Sequence, residues 1–140
     1  MAHIAGSGSA GPTGTVTFYP YGRDTLIVAE ISGLPHDDTL CASDIFAFHI
    51  HEGSSCGGTD FADTGGHFNP DDCPHPYHAG DLPPLFSCSG HAFMAVCTNR
   101  FRVSDIIGRT VVIHSRPDDF TTQPSGNAGT KIACGVIRPV

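Results

Sequence analysis

The chain has 140 residues with 17 glycines and 11 prolines, and only 15% of its residues are charged. This length suits one domain with a hydrophobic core, so we expect a single domain over residues 1–140. The net charge of −7 and the lack of a basic cluster argue against a nucleic-acid partner, and no apolar run is long enough to span a membrane.

Short β-strands separated by turns are expected along the chain, because no segment shows a sustained helical period. Residues 1–13 are rich in Gly and Ser and are expected to be loosely held, and a first short strand can form near His3. Further strands are predicted at 14–19, 25–32, 45–51, 82–88, 92–98, 109–114 and 132–138. The pattern predicts an all-β fold, a flattened barrel or sandwich, with long functional loops before residue 82 and at 115–129.

His49 and His51 lie two residues apart within the predicted strand 45–51. Residues i and i+2 of a strand face the same side, so the two imidazoles are presented side by side while Phe48 and Ile50 face a core. Paired strand imidazoles suit a nitrogen-rich ion of tetragonal geometry, and Cu²⁺ is the obvious candidate. A further histidine, His114, ends a later strand.

The Gly- and Pro-rich loop that follows carries three histidines and one aspartate, namely His67, His75, His78 and Asp81. A loop with this set of side chains can surround one ion tetrahedrally, which is the preference of Zn²⁺. Each pattern alone also occurs on ordinary strands and in solvated loops. Together with His114, however, they favour a metal site.

Five segments resemble copper–zinc superoxide dismutase in the order typical of that family. They are FHIHE at 48–52, GHFNP at 66–70, HAGD at 78–81, IGRTVVIH at 107–114 and GNAGTKIACG at 126–135. The resemblance covers most of the chain from Gly14 to Ile137. It implies an eight-stranded antiparallel Greek-key β-barrel, an immunoglobulin-like sandwich, and an enzyme that disproportionates superoxide to dioxygen and hydrogen peroxide.

The resemblance also implies the ligands of each ion. Copper would be held by His49, His51, His67 and His114, and zinc by His67, His75, His78 and Asp81. His67 would bridge both ions, leaving copper and taking a proton as Cu²⁺ is reduced to Cu⁺, while zinc keeps it anchored. Asp118 would join the free ring nitrogens of His49 and His75.

Lys131, the only lysine of the chain, stands where the family has an arginine. A lysine keeps the positive charge but lacks the planar fork of a guanidinium. We therefore expect Lys131 to steer and dock the superoxide anion less well than an arginine would. The second functional loop is short, and Arg116 is its only cation.

Six cysteines favour an oxidising, extracytoplasmic compartment, whereas the N-terminal residues show no secretion signal. A secreted protein whose leader was removed and a cytoplasmic protein therefore both stay open. The resemblance implies a disulfide bond between Cys56 and Cys134. A bond between Cys41 and Cys73 is a tentative second expectation, with the Cys73 thiolate as a zinc ligand ranked lower. Cys88 and Cys97 would then remain, and the turn between them makes their pairing doubtful.

Two other functions compete with the enzyme. A copper-binding or copper-delivering module without catalysis is favoured by Lys131, the short loop and the additional cysteines. A zinc-only structural domain would leave His49, His51 and His114 without a purpose. The remaining histidines, His3, His36 and His91, are expected at the surface. A homodimer is expected only from the resemblance.

Overall fold

The computed structural model describes all 140 residues, and it confirms the predicted all-β barrel with two long loops. Nine strands, paired antiparallel throughout, form one sheet in the order β4-β6-β7-β3-β2-β1-β9-β8-β5. Their bounds are β1 (Ala2–Gly6), β2 (Thr13–Tyr21), β3 (Asp24–Ser32), β4 (Ile45–Phe46), β5 (Phe48–His51), β6 (Leu85–Cys88), β7 (His91–Thr98), β8 (Thr110–His114) and β9 (Lys131–Val136).

The barrel closes through β4 and β5, which are consecutive in the chain. β4 pairs with β6 at one end of the strand order, and β5 pairs with β8 at the other. Only Ala47 separates them, and its carbonyl accepts a hydrogen bond of 2.9 Å from the N–H of His114. The predicted strand 45–51 is thus one interrupted strand, so the eight expected strands and the nine observed ones describe the same architecture.

The first strand is integral to the sheet. β1 pairs with β2 on one side and with β9 on the other. Ala2 and Ile4 are buried, with 0% and 3% of their surface exposed. The short strand considered near His3 is confirmed as β1, whereas the expectation that residues 1–13 are loosely held is wrong for this strand, because the Gly/Ser-rich run extends over 6–11 and begins only where the strand ends.

Alternation of apolar residues places one side of each strand in the core. In β3, Thr25, Ile27, Ala29 and Ile31 are buried. Phe48 and Ile50 of β5 belong to the same core cluster and are fully buried. Burying a side chain of this size stabilises a fold by roughly 1.5–3 kcal/mol, so the core holds the candidate ligand strand in place.

Two short helical segments were not predicted from the sequence. They are a 3₁₀ segment at Thr59–Thr64 and the helix α1 at Val103–Ile106. Each spans too few residues to establish a hydrophobic period that sequence analysis could detect. Neither has the length and the apolar character needed to cross a membrane.

Candidate metal centre

Two segments of the long loop cover the outer edge of β5. The N–H of Ile50 donates to the carbonyl of Gly80, and the carbonyl of Ile50 accepts from the N–H of Phe68, both at 2.8 Å. Because β5 would otherwise be a sheet edge, these bonds also satisfy its free backbone groups. They bring His67 and Asp81 of the loop against the two histidines of the strand.

Four imidazoles converge beside the paired strands β5 and β8. They are His49, His51, His67 and His114, and one ring nitrogen of each lies within 4.8 Å of those of the others. All four side chains are at most 9% exposed. Nε2 of His51 is 3.2 Å from Nε2 of His114, and the ring centroids of His49 and His67 are 4.0 Å apart. A cluster of imidazoles without a carboxylate suits Cu²⁺.

A second group shares His67 with the first and adds His75, His78 and Asp81. Nδ1 of His67 is 2.7 Å from Oδ1 of Asp81 and 3.1 Å from Nδ1 of His78. Nδ1 of His75 is 3.0 Å from Oδ2 of Asp81. Four ligands of a tetrahedral ion with bonds of about 2.0 Å lie about 3.3 Å apart, so this spacing and this donor set suit Zn²⁺.

Several buried nitrogens of these rings have no hydrogen-bond partner. They are Nδ1 of His49, Nε2 of His67, Nδ1 of His75 and Nδ1 of His114. The approach of Nδ1 of His75 to Asp81 is close in distance but does not have the geometry of a hydrogen bond. A buried polar atom without a partner is costly, and an ion bound among the rings would satisfy such atoms. The residues present therefore fit a copper and a zinc ion.

Burial favours the neutral imidazole in three members of the four-histidine group, His49, His51 and His114. It lowers the pKa of His51 to about 2 and the pKa of His114 to about 3, and it also lowers the pKa of His49. A neutral imidazole has a lone pair for a metal ion. In His51, Nδ1 donates to the carbonyl of Gly65 at 2.9 Å, which leaves Nε2 as the nitrogen with the lone pair.

Asp118, a buried residue of the second loop, links the two groups. Its Oδ2 accepts from Nε2 of His49 and its Oδ1 accepts from Nε2 of His75, both at 2.8 Å. Burial by itself would raise the pKa of Asp118, but the hydrogen bonds from the two imidazoles hold that pKa below its ordinary value. With Nε2 donating to a carboxylate, both rings are oriented with Nδ1 left for a metal ion.

Two further residues of the second loop contact His75, and sequence reasoning missed both roles. Oε1 of Gln123 accepts from the backbone N–H of His75 at 2.9 Å, and Nε2 of Gln123 donates to the His75 carbonyl at 2.7 Å. Gly126 has a φ of 73° and lies directly against Asp118 and the His75 ring. Only the glycine could have been noticed in the sequence, as a residue that tolerates this backbone conformation.

Arg100, which follows β7, holds the loop of the candidate zinc ligands. Its Nη1 donates to the carbonyls of Pro76 at 3.0 Å, His78 at 3.2 Å and Asp81 at 3.2 Å. The guanidinium thus satisfies three carbonyl groups of a segment that has little regular structure. No motif in the sequence relates Arg100 to this loop.

Lys131 begins β9 directly opposite His114 of β8, at a point where the register of the two strands shifts. Its Nζ donates to Oγ1 of Thr64 at 2.7 Å and to the carbonyl of Gly65 at 3.2 Å. The same carbonyl accepts from His51, so the ammonium group adjoins the four-histidine group. Arg116, the other cation considered from the sequence, is exposed.

The structure contains the disulfide bond between Cys56 and Cys134. It ties the loop after β5 to the middle of β9. The tentative bond between Cys41 and Cys73 is not formed, since both residues are free thiols, as are Cys88 and Cys97. Cys73 takes no part in either metal group; instead its Sγ lies 3.8 Å from the carbonyl of Asp71.

The three other histidines lie apart from both groups. His3 and His91 are exposed. His36 contacts two carboxylates, with Nδ1 3.2 Å from Oδ1 of Asp44 and Nε2 2.8 Å from Oδ1 of Asp38. Hydrogen bonds to Asp44 and Asp38 raise the pKa of His36. These three side chains form a group of ion pairs at the protein surface.

Comparisons with known proteins agree with one another. The family model described as copper/zinc superoxide dismutase (SODC) matches residues 12–137. The chain is 35% identical to a superoxide dismutase (Cu-Zn) of Deinococcus radiodurans, covering 91% of this chain and 78% of that protein. It is 37% identical to a superoxide dismutase (Cu-Zn) of Aquifex aeolicus, covering 81% of this chain and 71% of that protein.

Among solved structures, the chain is similar to a SOD-like protein from Bacillus subtilis. The TM-score is 0.79 at 27% sequence identity, and the likeness covers 97% of this chain and 96% of the other. The similarity therefore extends over the whole barrel and its loops.

Proposed function

Because this chain belongs to the copper/zinc superoxide dismutase family, we propose that it is a superoxide dismutase that converts superoxide to dioxygen and hydrogen peroxide. The observation that carries the proposal is the position of His67 in both ligand groups. Its Nδ1 lies among the candidate zinc ligands, and its buried Nε2 has no hydrogen-bond partner. In this proposal His49, His51, His67 and His114 hold copper, and His67, His75, His78 and Asp81 hold zinc.

When bound, copper would supply the one-electron chemistry of the Cu²⁺/Cu⁺ couple, and zinc would supply a fixed positive charge without redox chemistry. The protein's own contribution is the placement of a proton. Nε2 of His67 is the site at which a proton can be held and then given to the reduced substrate, while Nδ1 stays among the zinc ligands. Asp118 and Gly65 fix the ring orientations of His49, His75 and His51, so the remaining nitrogens keep their direction.

The substrate is a small anion, and the protein has a net charge of −7. A fast reaction therefore needs a local positive charge that attracts the anion to the site. We assign this role to Lys131, whose ammonium adjoins His51 through the carbonyl of Gly65. The exposed Arg116 is a further source of positive charge near the second loop.

A second candidate function is a copper-binding or copper-delivering module without catalysis. It is supported by Lys131, which replaces the arginine expected at this position, and by four free thiols in addition to the disulfide bond. The Asp118 link and the shared His67 weigh against it, because storage alone requires neither two coupled groups nor a position for a proton.

One experiment separates the two functions. The protein is loaded with copper and zinc, its metal content is measured, and superoxide turnover is followed in the same sample. The enzyme predicts one ion of each metal per chain and fast turnover that falls at high salt. Two bound metals with turnover at the uncatalysed rate would select the copper-binding module.

The role of His67 is tested with His67→Ala, which is expected to abolish turnover even when copper is retained. His91→Ala is a matched control, since His91 is exposed and its Nδ1 lies 3.1 Å from Oγ of Ser32. Retained turnover in His67→Ala would rule out the proposed proton path.

We also propose an oxidising, extracytoplasmic location, which is supported by the disulfide bond between Cys56 and Cys134. Expression of the chain with and without export, followed by thiol labelling, tests it. A homodimer is proposed from the family alone, and sedimentation of the metal-loaded protein measures it.

A further inference from the structure

The ammonium group of Lys131 is held in one place by two oxygen atoms. The register of β8 and β9 sets the position of the Lys131 backbone, since Lys131 lies opposite His114 at the point where the pairing of the two strands shifts. Its Nζ then donates to Oγ1 of Thr64 at 2.7 Å and to the carbonyl of Gly65 at 3.2 Å. A shift of this kind beside a candidate active site re-aims a side chain.

The hydroxyl group of Thr64 can only accept from Lys131. Oγ1 of Thr64 donates to the carbonyl of Phe61 at 2.8 Å, which uses its single proton. Thr64 is fully buried, and its carbonyl accepts from the N–H of Gly53 at 2.8 Å. Burial and these two hydrogen bonds therefore fix the position of the accepting hydroxyl group.

We propose that Thr64 is a positioning residue that turns Lys131 into a preset docking group for the anionic substrate. The inference rests on the proposed function, because it concerns the anion of that same site. An ammonium group has three N–H donors. Two of them are used by Thr64 and Gly65, which leaves one N–H for the anion.

The contacts to Thr64 and Gly65 give Lys131 a fixed orientation, which a lysine side chain lacks on its own. A lysine side chain is a flexible point charge, whereas the fork of an arginine fixes its own geometry. The buried hydroxyl of Thr64 restores a fixed geometry at Lys131. Because Gly65 also accepts from His51, the ammonium is held at a constant distance from a candidate copper ligand.

The test uses Thr64→Val, which keeps the shape of threonine without the hydroxyl, and Thr64→Ser, which keeps the hydroxyl. Because Lys131 is the only lysine, protein labelled with ¹³C-lysine gives one side-chain signal, and its order parameter reports the mobility of Cε in the copper-free, zinc-loaded protein. The affinity of the copper-loaded protein for azide, a small monoanion, is followed by Cu²⁺ absorption. Turnover is measured in parallel.

In Thr64→Val we expect the Lys131 order parameter to fall and both azide affinity and kcat/KM to drop about three- to tenfold, in the range of local electrostatic effects. Thr64→Ser should stay within about twofold of the parent protein. In a Lys131→Met background, Thr64→Val should have no further effect on either binding or turnover, because its role passes through Lys131.

An unchanged order parameter or azide affinity in Thr64→Val would overturn the inference, as would an equal loss in the Lys131→Met background. Thermal unfolding and zinc content are measured for each variant, and Thr64→Ala takes the place of Thr64→Val if the latter does not fold. A parent protein without turnover would refute the proposed function, whereas the order parameter and azide affinity would still decide the role of Thr64.

Discussion

A β-carbon added to Gly126 would overlap Oδ1 of Asp118 and lie 2.7 Å from Nε2 of His75. The absence of a side chain at Gly126 is therefore what allows the carboxylate of Asp118 to reach the imidazole of His75. We predict that Gly126→Ala disrupts the link between the two metal groups and lowers zinc affinity by about 10- to 100-fold. Competition with a chelator of known affinity measures this change.

Gly22→Ala is the matched control. Gly22 has a φ of 62°, so alanine there suffers a similar backbone strain of about 1 kcal/mol, but no atom lies within 4 Å of the added β-carbon. A loss of zinc affinity in Gly22→Ala as large as in Gly126→Ala would show that backbone strain is the cause, and would contradict the role of the Asp118 contact.

Asp118→Asn is predicted to break one of the two bonds that join His49 and His75. The amide keeps the size of the carboxylate but has only one oxygen, so it cannot accept from both Nε2 atoms. We expect about 10- to 100-fold weaker metal binding and a mixture of ring orientations. Chelator competition and the Cu²⁺ absorption spectrum report the two effects. Asp119→Asn is the control, since Asp119 caps Thr121 and Thr122 and contacts no histidine.

The strands and the histidine spacing could be read from the sequence because they follow from local periodicity. Alternation in β3 places Ile27 and Ile31 in the core, and the interval of two places His49 and His51 side by side. The disulfide bond between Cys56 and Cys134, in contrast, was expected only through resemblance to a family.

Other features could not be predicted, because they depend on contacts to backbone groups far away in the chain. Gln123 bonds to the peptide groups of His75, and Arg100 bonds to three loop carbonyls. Every residue has a peptide carbonyl and nearly every residue a peptide N–H, so the sequence of the loop does not show which of these groups a distant side chain will bind. The Gly/Ser-rich run that follows β1 resembles a loose terminus in composition, although the backbone of β1 itself is paired on both sides.

Arg100→Ala is predicted to loosen the loop of the candidate zinc ligands. The partly buried carbonyl of Asp81 loses its donor, at a cost of about 1 kcal/mol or more, the carbonyl of His78 keeps only the N–H of Asp81, and the exposed carbonyl of Pro76 loses its bond to Arg100. We expect zinc to dissociate about tenfold faster, with little change in the unfolding of the metal-free protein. Stopped-flow release of zinc to a chromophoric chelator measures the rate.

Two further variants test the cause of that change. Arg100→Lys keeps the charge, but its side chain ends one bond short of the Nη1 position from which all three carbonyls are bonded, so it should restore little. Arg23→Ala removes an exposed arginine from the turn between β2 and β3 and should release zinc at the parent rate. An equally fast release from Arg23→Ala would indicate an effect of net charge alone.

Removal of the disulfide bond by Cys56→Ser is predicted to lower the free energy of unfolding by about 4 kcal/mol, because the bond closes a loop between residues 78 positions apart. Urea unfolding of the zinc-loaded protein measures the change. Cys97→Ser is the control, since Cys97 is an exposed free thiol. An equal effect of the two substitutions would exclude loop closure as the source of the stability.

Lys131 is predicted to lose its positive charge at alkaline pH. Partial burial lowers the pKa of Lys131 from its ordinary value of 10.5. The ammonium is charged below its pKa and neutral above it, so the docking charge is lost as pH rises, at a midpoint below 10.5. We therefore expect kcat/KM for superoxide to decline in that range. In Lys131→Arg the decline should move to higher pH, because a guanidinium stays protonated up to about pH 12. An identical alkaline decline in both proteins would show that another group titrates and that the charge of Lys131 does not control the rate.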